Sequence, residues 1–159
     1  MPSRVAIEPG RYVVASSGWI LARVLHVRSR GTLQQAVIDA GMTELIRPAL
    51  YGARHPVHLV ASRCARGELL ETAVEGPVCE SSDTLGVHRL PPLQRGDLVA
   101  LAGTGAYGSA LAMRYNGRPH AAEVFIHPSG DLELARARER VGWGAELGSF
   151  PRDRGSRTG

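Results

Sequence analysis

The stretch QQAVIDAGMTELIRPALY, which covers residues 34–51, decides the fold of this chain. Residues 34–40 of this stretch read as a short β-strand. A short helical turn is expected at residues 43–46, and Pro48 follows that turn. A strand that gives way so soon to a turn is typical of a domain built from many short strands.

The remainder of the chain repeats this alternation of short strands and turns. Further strands are predicted at residues 57–61, 69–74, 97–102, 110–115, 121–127 and 131–134. The last two are expected to pair across the turn Pro128-Ser129-Gly130. Such spacing predicts a mainly β domain, either a barrel or a sandwich, over residues 32–135. Residues 136–159 are expected to form a weak helix and then a disordered tail.

The N-terminal residues show a different pattern. Residues 4–8 read as the end of a strand, and Pro9-Gly10 is a turn signal. From Tyr12 to about Val27 a helix is predicted, because several side chains recur at helical spacing, namely Val13, Ser17, Ile20, Leu21 and Val24. Residues 1–31 are therefore predicted to be the last strand–helix unit of a larger α/β domain.

The basic residues limit the possible functions. The net charge is +4, and the sequence contains no lysine, since all 19 basic residues are arginine. Residues 136–159 carry six arginines and three acids, a net charge of +3, which leaves +1 for the rest of the chain. Because this charge lies in the tail, nucleic acid is not expected as a partner. Arginine cannot replace lysine in a Schiff base, because it has no primary amine.

Other features of the sequence predict a cytoplasmic protein without a metal site. No apolar run approaches the roughly 18 residues of a membrane span, and the N-terminus has no apolar signal region. Cys64 and Cys79 form no C-x-x-C pair and are expected to be free thiols. His55 and His58 are spaced as H-x-x-H, but no further metal ligands accompany them.

Five segments are more specific than the composition. They are Glu8-Pro-Gly-Arg11, residues 39–51, Gly76-Pro-Val-Cys79-Glu-Ser-Ser-Asp83, Gly105-Ala-Tyr-Gly108 and Tyr115-Asn-Gly-Arg-Pro119. In this order and spacing they resemble the C-terminal third of the diaminopimelate decarboxylases, pyridoxal 5'-phosphate (PLP) enzymes with an alanine-racemase-like barrel. The resemblance runs from Glu8 to about Val124 and departs from the family pattern at Ser82, where glycine is usual. It implies a C-terminal β-barrel or sandwich domain, preceded by the last strand–helix unit of a (β/α)8 barrel.

The first and fourth segments are expected to bind the cofactor. Free N–H groups at a helix N-terminus suit a phosphate, although an ordinary turn with a solvated Arg11 stays open from the residues alone. The resemblance implies that Glu8, Gly10 and Arg11 bind the PLP phosphate and that Arg11 also reaches a substrate carboxylate. It further implies that Tyr107 contacts both the phosphate and the substrate.

The second and third segments are expected to bind the substrate. Arg47 and Tyr51 lie four residues apart, and a guanidinium can bind a carboxylate through two hydrogen bonds. The resemblance assigns both residues to the distal end of the substrate and assigns Glu80 to its distal ammonium. It makes Cys79 the proton donor, presented across a dimer interface. A solvated arginine and a core cysteine remain the simpler alternatives.

The resemblance implies a PLP-dependent carboxy-lyase that converts meso-2,6-diaminopimelate to L-lysine and CO₂ in lysine biosynthesis. Such an enzyme would work as a homodimer or with a separate barrel chain. Because the chain has no Schiff-base lysine, it is expected to be inactive alone. Two alternatives stay open: a non-catalytic β domain that binds or regulates a partner decarboxylase, and part of a related ornithine, arginine or carboxynorspermidine decarboxylase. The glutamate that follows Cys79 favours diaminopimelate.

Overall fold

The computed structural model of the chain describes residues 4–62 and 67–140. The chain divides after Asn116 into two compact units. Within the described residues, the first unit contains a six-stranded sheet, and the second contains a two-stranded one.

The first unit begins with short helical segments and continues into its sheet. Helix α1 spans Gly10–Val14 and runs into a 3-10 turn at Ala15–Ser17. The strands are β1 (Trp19–Arg30), β2 (Leu33–Ile38), β3 (Val57–Ala61), β4 (Leu70–Glu75), β5 (Thr84–Leu90) and β6 (Leu98–Ala102). Helix α2 (Arg47–Tyr51) follows β2 in the chain, and 3-10 turns occupy Ser109–Leu111 and Tyr115–Gly117.

The six strands are arranged around β1. The order in the sheet is β3-β6-β1-β2-β4-β5, and neighbours are antiparallel except for the parallel pair β2 and β4. The first part of β1 pairs with β6, and its second part pairs with β2. The sheet curls, so that β3 and β5 at its two edges also contact each other. The predicted mainly β fold is confirmed.

One face of the curled sheet carries the hydrophobic core. In β1, Ala22 and Val24 are buried on this face, whereas Leu21, which precedes Ala22, is 62% exposed on the other. Leu45, which precedes α2, is also fully buried and donates its N–H to Gly41 O at 2.9 Å. The core therefore anchors the turn that leads into α2.

The helix predicted from Tyr12 to Val27 is wrong beyond the short segments that end at Ser17. Residues 19–30 form β1, with Ile20, Ala22 and Val24 facing the core. The apolar residues of this stretch fit both a helical and a strand period, and pairing with two neighbouring strands decides the outcome. The strand end predicted at residues 4–8 is also wrong, since these residues have no regular structure. The sheet thus begins at Trp19; that the preceding residues end a barrel stays a prediction.

Most of the other predicted strands are confirmed. The predictions at 34–40, 57–61, 69–74 and 97–102 coincide with β2, β3, β4 and β6 to within two residues at each end. The prediction at 110–115 is wrong, because 3-10 turns occupy much of that region. Strand β5 has no predicted counterpart, since Gly86, at φ 98°, interrupts its alternation.

The second unit contains the predicted hairpin. Strands β7 (Glu123–Ile126) and β8 (Leu132–Arg136) are antiparallel, and His127 N–H donates to Asp131 O at 2.9 Å across the turn. A weak helix and then a tail are predicted for residues 136–159. The first of these residues, Arg136, ends β8, and residues 141–159 lie outside the described part of the chain. No helix within residues 4–62 or 67–140 is long and apolar enough to cross a membrane.

Replacing a core leucine is expected to destabilise the sheet far more than replacing a leucine on its other face. Leu101→Ala should lower the free energy of unfolding by about 2–5 kcal/mol, because it leaves a cavity at a side chain with 0% exposure. Leu21→Ala, on the neighbouring strand β1, should change it by less than about 0.5 kcal/mol. Urea unfolding of the full chain measures both, and equal effects would contradict this assignment of the faces.

Candidate functional site

Helix α2 sets the position of Arg47. Pro48 lies in its first turn, where the missing N–H costs no hydrogen bond. The helix ends after Tyr51 because Gly52 adopts a left-handed φ of 61° and donates its N–H to Pro48 O at 2.9 Å. Arg47 is consequently half-buried at one end of α2, while Tyr51 at the other end is 66% exposed.

Arg47 contacts two side chains from other segments of the first unit. Its Nη1 lies 3.2 Å from Nε2 of His55, and its guanidinium carbon lies 5.8 Å from the centre of the Tyr107 ring. Nδ1 of His55 lies 3.0 Å from the carbonyl oxygen of Ala102, at the end of β6. We call Arg47, His55 and Tyr107 the Arg47 cluster.

The electrostatics of this cluster favour an anion. Burial lowers the pKa of His55 below its ordinary value, and the hydrogen bond to the Ala102 carbonyl opposes this shift. The charges of Arg47 and Arg11 lower the pKa of His55 further. Arg11 therefore acts on the same region as Arg47, and two positive charges with a neutral imidazole suit a carboxylate or a phosphate.

A glycine loop holds Tyr107 against the segment that carries Arg11. Tyr107 has a φ of 66°, in the left-handed region that residues other than glycine rarely adopt. Gly105 N–H donates to Ala15 O at 3.1 Å, and a Cβ on Gly105 would lie only 2.0 Å from Val14 O. Only glycine permits this close approach, which fixes the Tyr107 loop to the end of α1.

A surface depression lies beside α1. The helix begins at Gly10, two residues before the predicted start at Tyr12, and Glu8, Gly10 and Arg11 are among the residues that line the depression. A Cβ on Gly10 would meet no atom within 4 Å, so open space lies next to this backbone. The Gly10 N–H itself donates to Glu8 O at 2.9 Å, so the groups that the depression leaves for a ligand are the Arg11 guanidinium and the N–H groups that follow Gly10 in the first turn.

Asp83 fixes the loop that carries Cys79. Its carboxylate is 3% exposed and accepts hydrogen bonds from Met42 N–H at 2.6 Å and from Val78 N–H at 2.7 Å. Such charge-assisted bonds inside a protein are stronger than bonds between neutral groups. The Cys79 thiol, next to Val78, is free and exposed. The hydrogen bonds of Asp83 therefore hold the backbone of this loop in place, and the Cys79 thiol faces the solvent.

The space around Asp83 requires glycine at two positions. A Cβ on Gly41 would lie 2.3 Å from an oxygen of the Asp83 carboxylate, and a Cβ on Gly76 would lie 2.1 Å from the same atom. Glu44 supports the first of these turns by accepting Gly41 N–H at 2.8 Å. Two glycines of the sequence motifs are thus explained by one buried carboxylate.

Glu80 has a partner that sequence reasoning missed. The Tyr115 hydroxyl donates a hydrogen bond to Oε1 of Glu80, and this bond raises the pKa of Tyr115 above its ordinary value. The sequence motifs gave Tyr115 no role, because no sequence pattern relates two residues 35 positions apart. Tyr115 fixes the direction of the Glu80 carboxylate.

The structure brings some of the predicted site residues together and leaves others apart. Arg47 and Tyr107 share one cluster, on which Arg11 acts electrostatically. Within the described part of the chain, no hydrogen bond, ion pair or ring contact joins Tyr51, Cys79 or Glu80 to that cluster. Tyr51, Cys79 and Glu80 are thus not in direct contact with the Arg47 cluster of their own chain.

The two histidines of the H-x-x-H pattern face different surroundings. His55 contacts Arg47 and a backbone carbonyl, whereas the His58 ring lies 5.7 Å from the Trp19 ring, centre to centre. Over residues 4–62 and 67–140, no group of three or more His, Cys, Asp or Glu side chains is placed to hold a metal ion.

Comparison with known families assigns the class of protein. The family described as "Pyridoxal-dependent decarboxylase, C-terminal sheet domain" matches residues 11–105. This range contains all six strands of the sheet, α2 and the loop of Cys79. The chain therefore belongs to the pyridoxal-dependent decarboxylases, whose C-terminal sheet domain it contains.

Individual relatives narrow the comparison to diaminopimelate decarboxylases. The enzyme of Deinococcus radiodurans is 43% identical over 145 residues, which are 89% of this chain and 37% of the relative. A crystal structure of the Helicobacter pylori enzyme complexed with L-lysine has a TM-score of 0.75 and 38% identity, and covers 84% of this chain and 32% of that one. A lysine/ornithine decarboxylase from Vibrio vulnificus, complexed with cadaverine, reaches a TM-score of 0.60 at 30% identity and covers 68% of this chain and 29% of that one. The chain spans about a third of the length of the curated relatives.

The residues present fit one part of a PLP site. Two guanidinium groups, a phenol and the N–H groups at the start of α1 are donors that suit a phosphate and carboxylates. The sequence has no lysine that could form a Schiff base with the cofactor. The chain thus offers anion-binding groups but no covalent attachment point.

The role of Asp83 predicts a large loss of stability in Asp83→Asn. The variant should lower the free energy of unfolding by about 2–4 kcal/mol, because the new amide would turn an N–H₂ group toward a backbone N–H donor. Asp131→Asn, in the exposed turn of the hairpin, is the matched control and should cost less than about 0.5 kcal/mol. Urea unfolding compares the two. If Asp83→Asn cost no more than the control, Asp83 would not be the anchor of these loops.

Proposed function

We propose that this chain is the C-terminal part of a diaminopimelate decarboxylase, which converts meso-2,6-diaminopimelate to L-lysine and CO₂ in lysine biosynthesis in the cytoplasm. The Arg47 cluster carries the proposal, because it places a guanidinium beside a phenol in the sheet domain of a pyridoxal-dependent decarboxylase. The substrate has an amino-acid group at each end, so the enzyme must bind one end while the other reacts.

The N-terminal segment is proposed to bind the cofactor phosphate. Glu8, Gly10 and Arg11 line the depression beside α1, and Tyr107 lies on the loop packed against this segment. PLP, when bound, supplies the electron sink for the pair of electrons that CO₂ leaves behind. The lysine for its Schiff base must come from polypeptide outside this sequence, because the sequence has none.

Four residues are proposed to recognise the distal end of the substrate. Arg47 binds the distal carboxylate through two of its N–H groups, and the exposed Tyr51 adds a hydroxyl donor. Glu80 pairs with the distal ammonium, and Tyr115 orients the Glu80 carboxylate. Ornithine and arginine have no distal carboxylate, so Arg47 favours diaminopimelate over these substrates.

Cys79 is proposed to donate the proton that replaces CO₂. A thiol is a competent general acid near neutral pH, and Cys79 is free and exposed. Because Cys79 and Glu80 make no direct contact with the Arg47 cluster of their own chain, we propose a homodimer. In that dimer, Cys79 and Glu80 of one chain complete the Arg47 cluster of the other.

Reconstitution with a separate barrel tests the proposed function. The full chain is mixed with the barrel portion of the Deinococcus radiodurans relative, PLP and meso-diaminopimelate, and the release of L-lysine and CO₂ is measured. Turnover is expected only when both polypeptides are present, because the chain lacks the lysine and the barrel portion lacks the sheet domain. Cys79→Ala should lower kcat at least about 100-fold, because it removes the general acid.

The second cysteine of the sequence provides the matched control. Cys64→Ala should leave kcat within about twofold of the unsubstituted chain, since Cys64 belongs to none of the matched motifs. A chain that binds the barrel without producing lysine would contradict the proposed activity and would support a non-catalytic binding role. An unchanged kcat in Cys79→Ala would contradict the assignment of the proton donor.

A further inference from the structure

His55 is a buried titratable residue to which the reaction above gives no role. It is 3% exposed and lies just ahead of β3. Its two ring nitrogens have different partners, since Nδ1 is 3.0 Å from Ala102 O and Nε2 is 3.2 Å from Arg47 Nη1. A buried imidazole with both nitrogens engaged is held in a fixed orientation.

The partners of His55 determine its tautomer. A carbonyl oxygen only accepts hydrogen bonds, so Nδ1 carries the proton and donates it to Ala102 O. A guanidinium only donates, so Nε2 is unprotonated and accepts from Arg47. A protonated ring could not accept this bond. The arrangement therefore requires a neutral His55.

The surroundings of His55 keep it neutral. Burial lowers its pKa, and the two cations that face it, Arg47 from α2 and Arg11 from α1, act in the same direction. The backbone carbonyl of Ala102 in β6 opposes them. The imidazole consequently remains a hydrogen-bond acceptor for Arg47 at neutral pH.

The bond to His55 restrains the guanidinium of Arg47. One of the five N–H donors of Arg47 points to Nε2 of His55, while the group lies over the Tyr107 ring at 5.8 Å. A long side chain fixed at two points loses little further freedom when it binds a ligand, and such preorganisation increases affinity. The remaining donors keep the geometry of a fork for a carboxylate.

We propose that His55 is a positioning residue, which orients Arg47 for the distal carboxylate of the amino-acid substrate. The proposal rests on the proposed function, since it assigns Arg47 to that carboxylate. His55 does not touch the substrate and acts only through Arg47. Its loss therefore weakens the binding of ligands that carry this carboxylate and leaves the chemical step largely unchanged.

Substitutions in the reconstituted enzyme test this role. His55→Asn keeps a donor for Ala102 O but cannot reach Arg47, and it should raise the KM for meso-diaminopimelate about tenfold with kcat within about twofold. His55→Gln places an amide oxygen nearer to Arg47 and should recover part of this loss. His58→Asn, three residues away and in contact with Trp19, is the matched control and should change neither constant.

Ligand selectivity and coupling separate positioning from general damage. L-lysine keeps the distal carboxylate and cadaverine lacks it, so His55→Asn should weaken inhibition by L-lysine while leaving inhibition by cadaverine unchanged. In an Arg47→Ala background, His55→Asn should cause no further rise in KM, because the effect passes through Arg47. Equal weakening of both inhibitors, or a full additional rise in KM, would overturn the proposal.

The tautomer of His55 gives a test that is independent of turnover. Nitrogen-15 NMR of the full chain at pH 7 should show His55 protonated at Nδ1 and unprotonated at Nε2, with a pKa below the ordinary value of a histidine. A doubly protonated ring, or a proton on Nε2, would overturn the role of His55 even in an active enzyme. If the tautomer is as expected but the unsubstituted chain restores no turnover, the proposed function has failed instead.

Discussion

The buried carboxylate of Asp83 ties together the two loops on which the candidate site depends. It accepts one backbone N–H from Met42 and one from Val78, so the chain after β2 and the chain after β4 share a single anchor. Hydrogen bonds to a charged group contribute about 1.5–3 kcal/mol each, and a buried carboxylate without such donors would be costly. This anchor therefore holds Arg47, which follows the loop of Met42, and Cys79, which lies in the loop of Val78.

A second constraint comes from the register of β3 and β6. Val57 pairs with Leu101, and Ala102 N–H donates to Pro56 O at 2.8 Å. This pairing places His55, just ahead of β3, beside the carbonyl of Ala102. The glycine loop that follows β6 then brings Tyr107 to the same end of the strands. The Arg47 cluster is thus assembled at strand ends by a rigid sheet, as is usual for binding sites on loops.

The sequence predicts the β architecture well where strand and turn signals agree. The alternation in β2 and β3 and the Pro-Ser-Gly turn between β7 and β8 are sufficient to locate these elements. It fails at β1, because Ile20, Leu21 and Val24 fit a helix as well as a strand, and only the partner strands resolve the choice. It also fails at β5, where a glycine with positive φ interrupts the pattern.

The candidate site, like the fold, could be predicted from the sequence only in part. The motifs pointed to Arg47, Cys79 and Tyr107, whose chemistry is visible in the residue type. They gave no role to Asp83 or His55, because those roles depend on burial and on partners distant in the sequence. A polar side chain acquires such a structural role only when folding removes it from water.

We propose that two chains share each active site, with the Arg47 cluster from one and Cys79 from the other. Mixing equal amounts of the Cys79→Ala chain and the Arg47→Ala chain with the barrel portion tests it most directly. Random pairing should restore about a quarter of the activity of the unsubstituted chain, because half of the dimers would then contain one intact site out of two. If the mixture is no more active than either variant alone, both groups belong to a site within one chain and the account is contradicted.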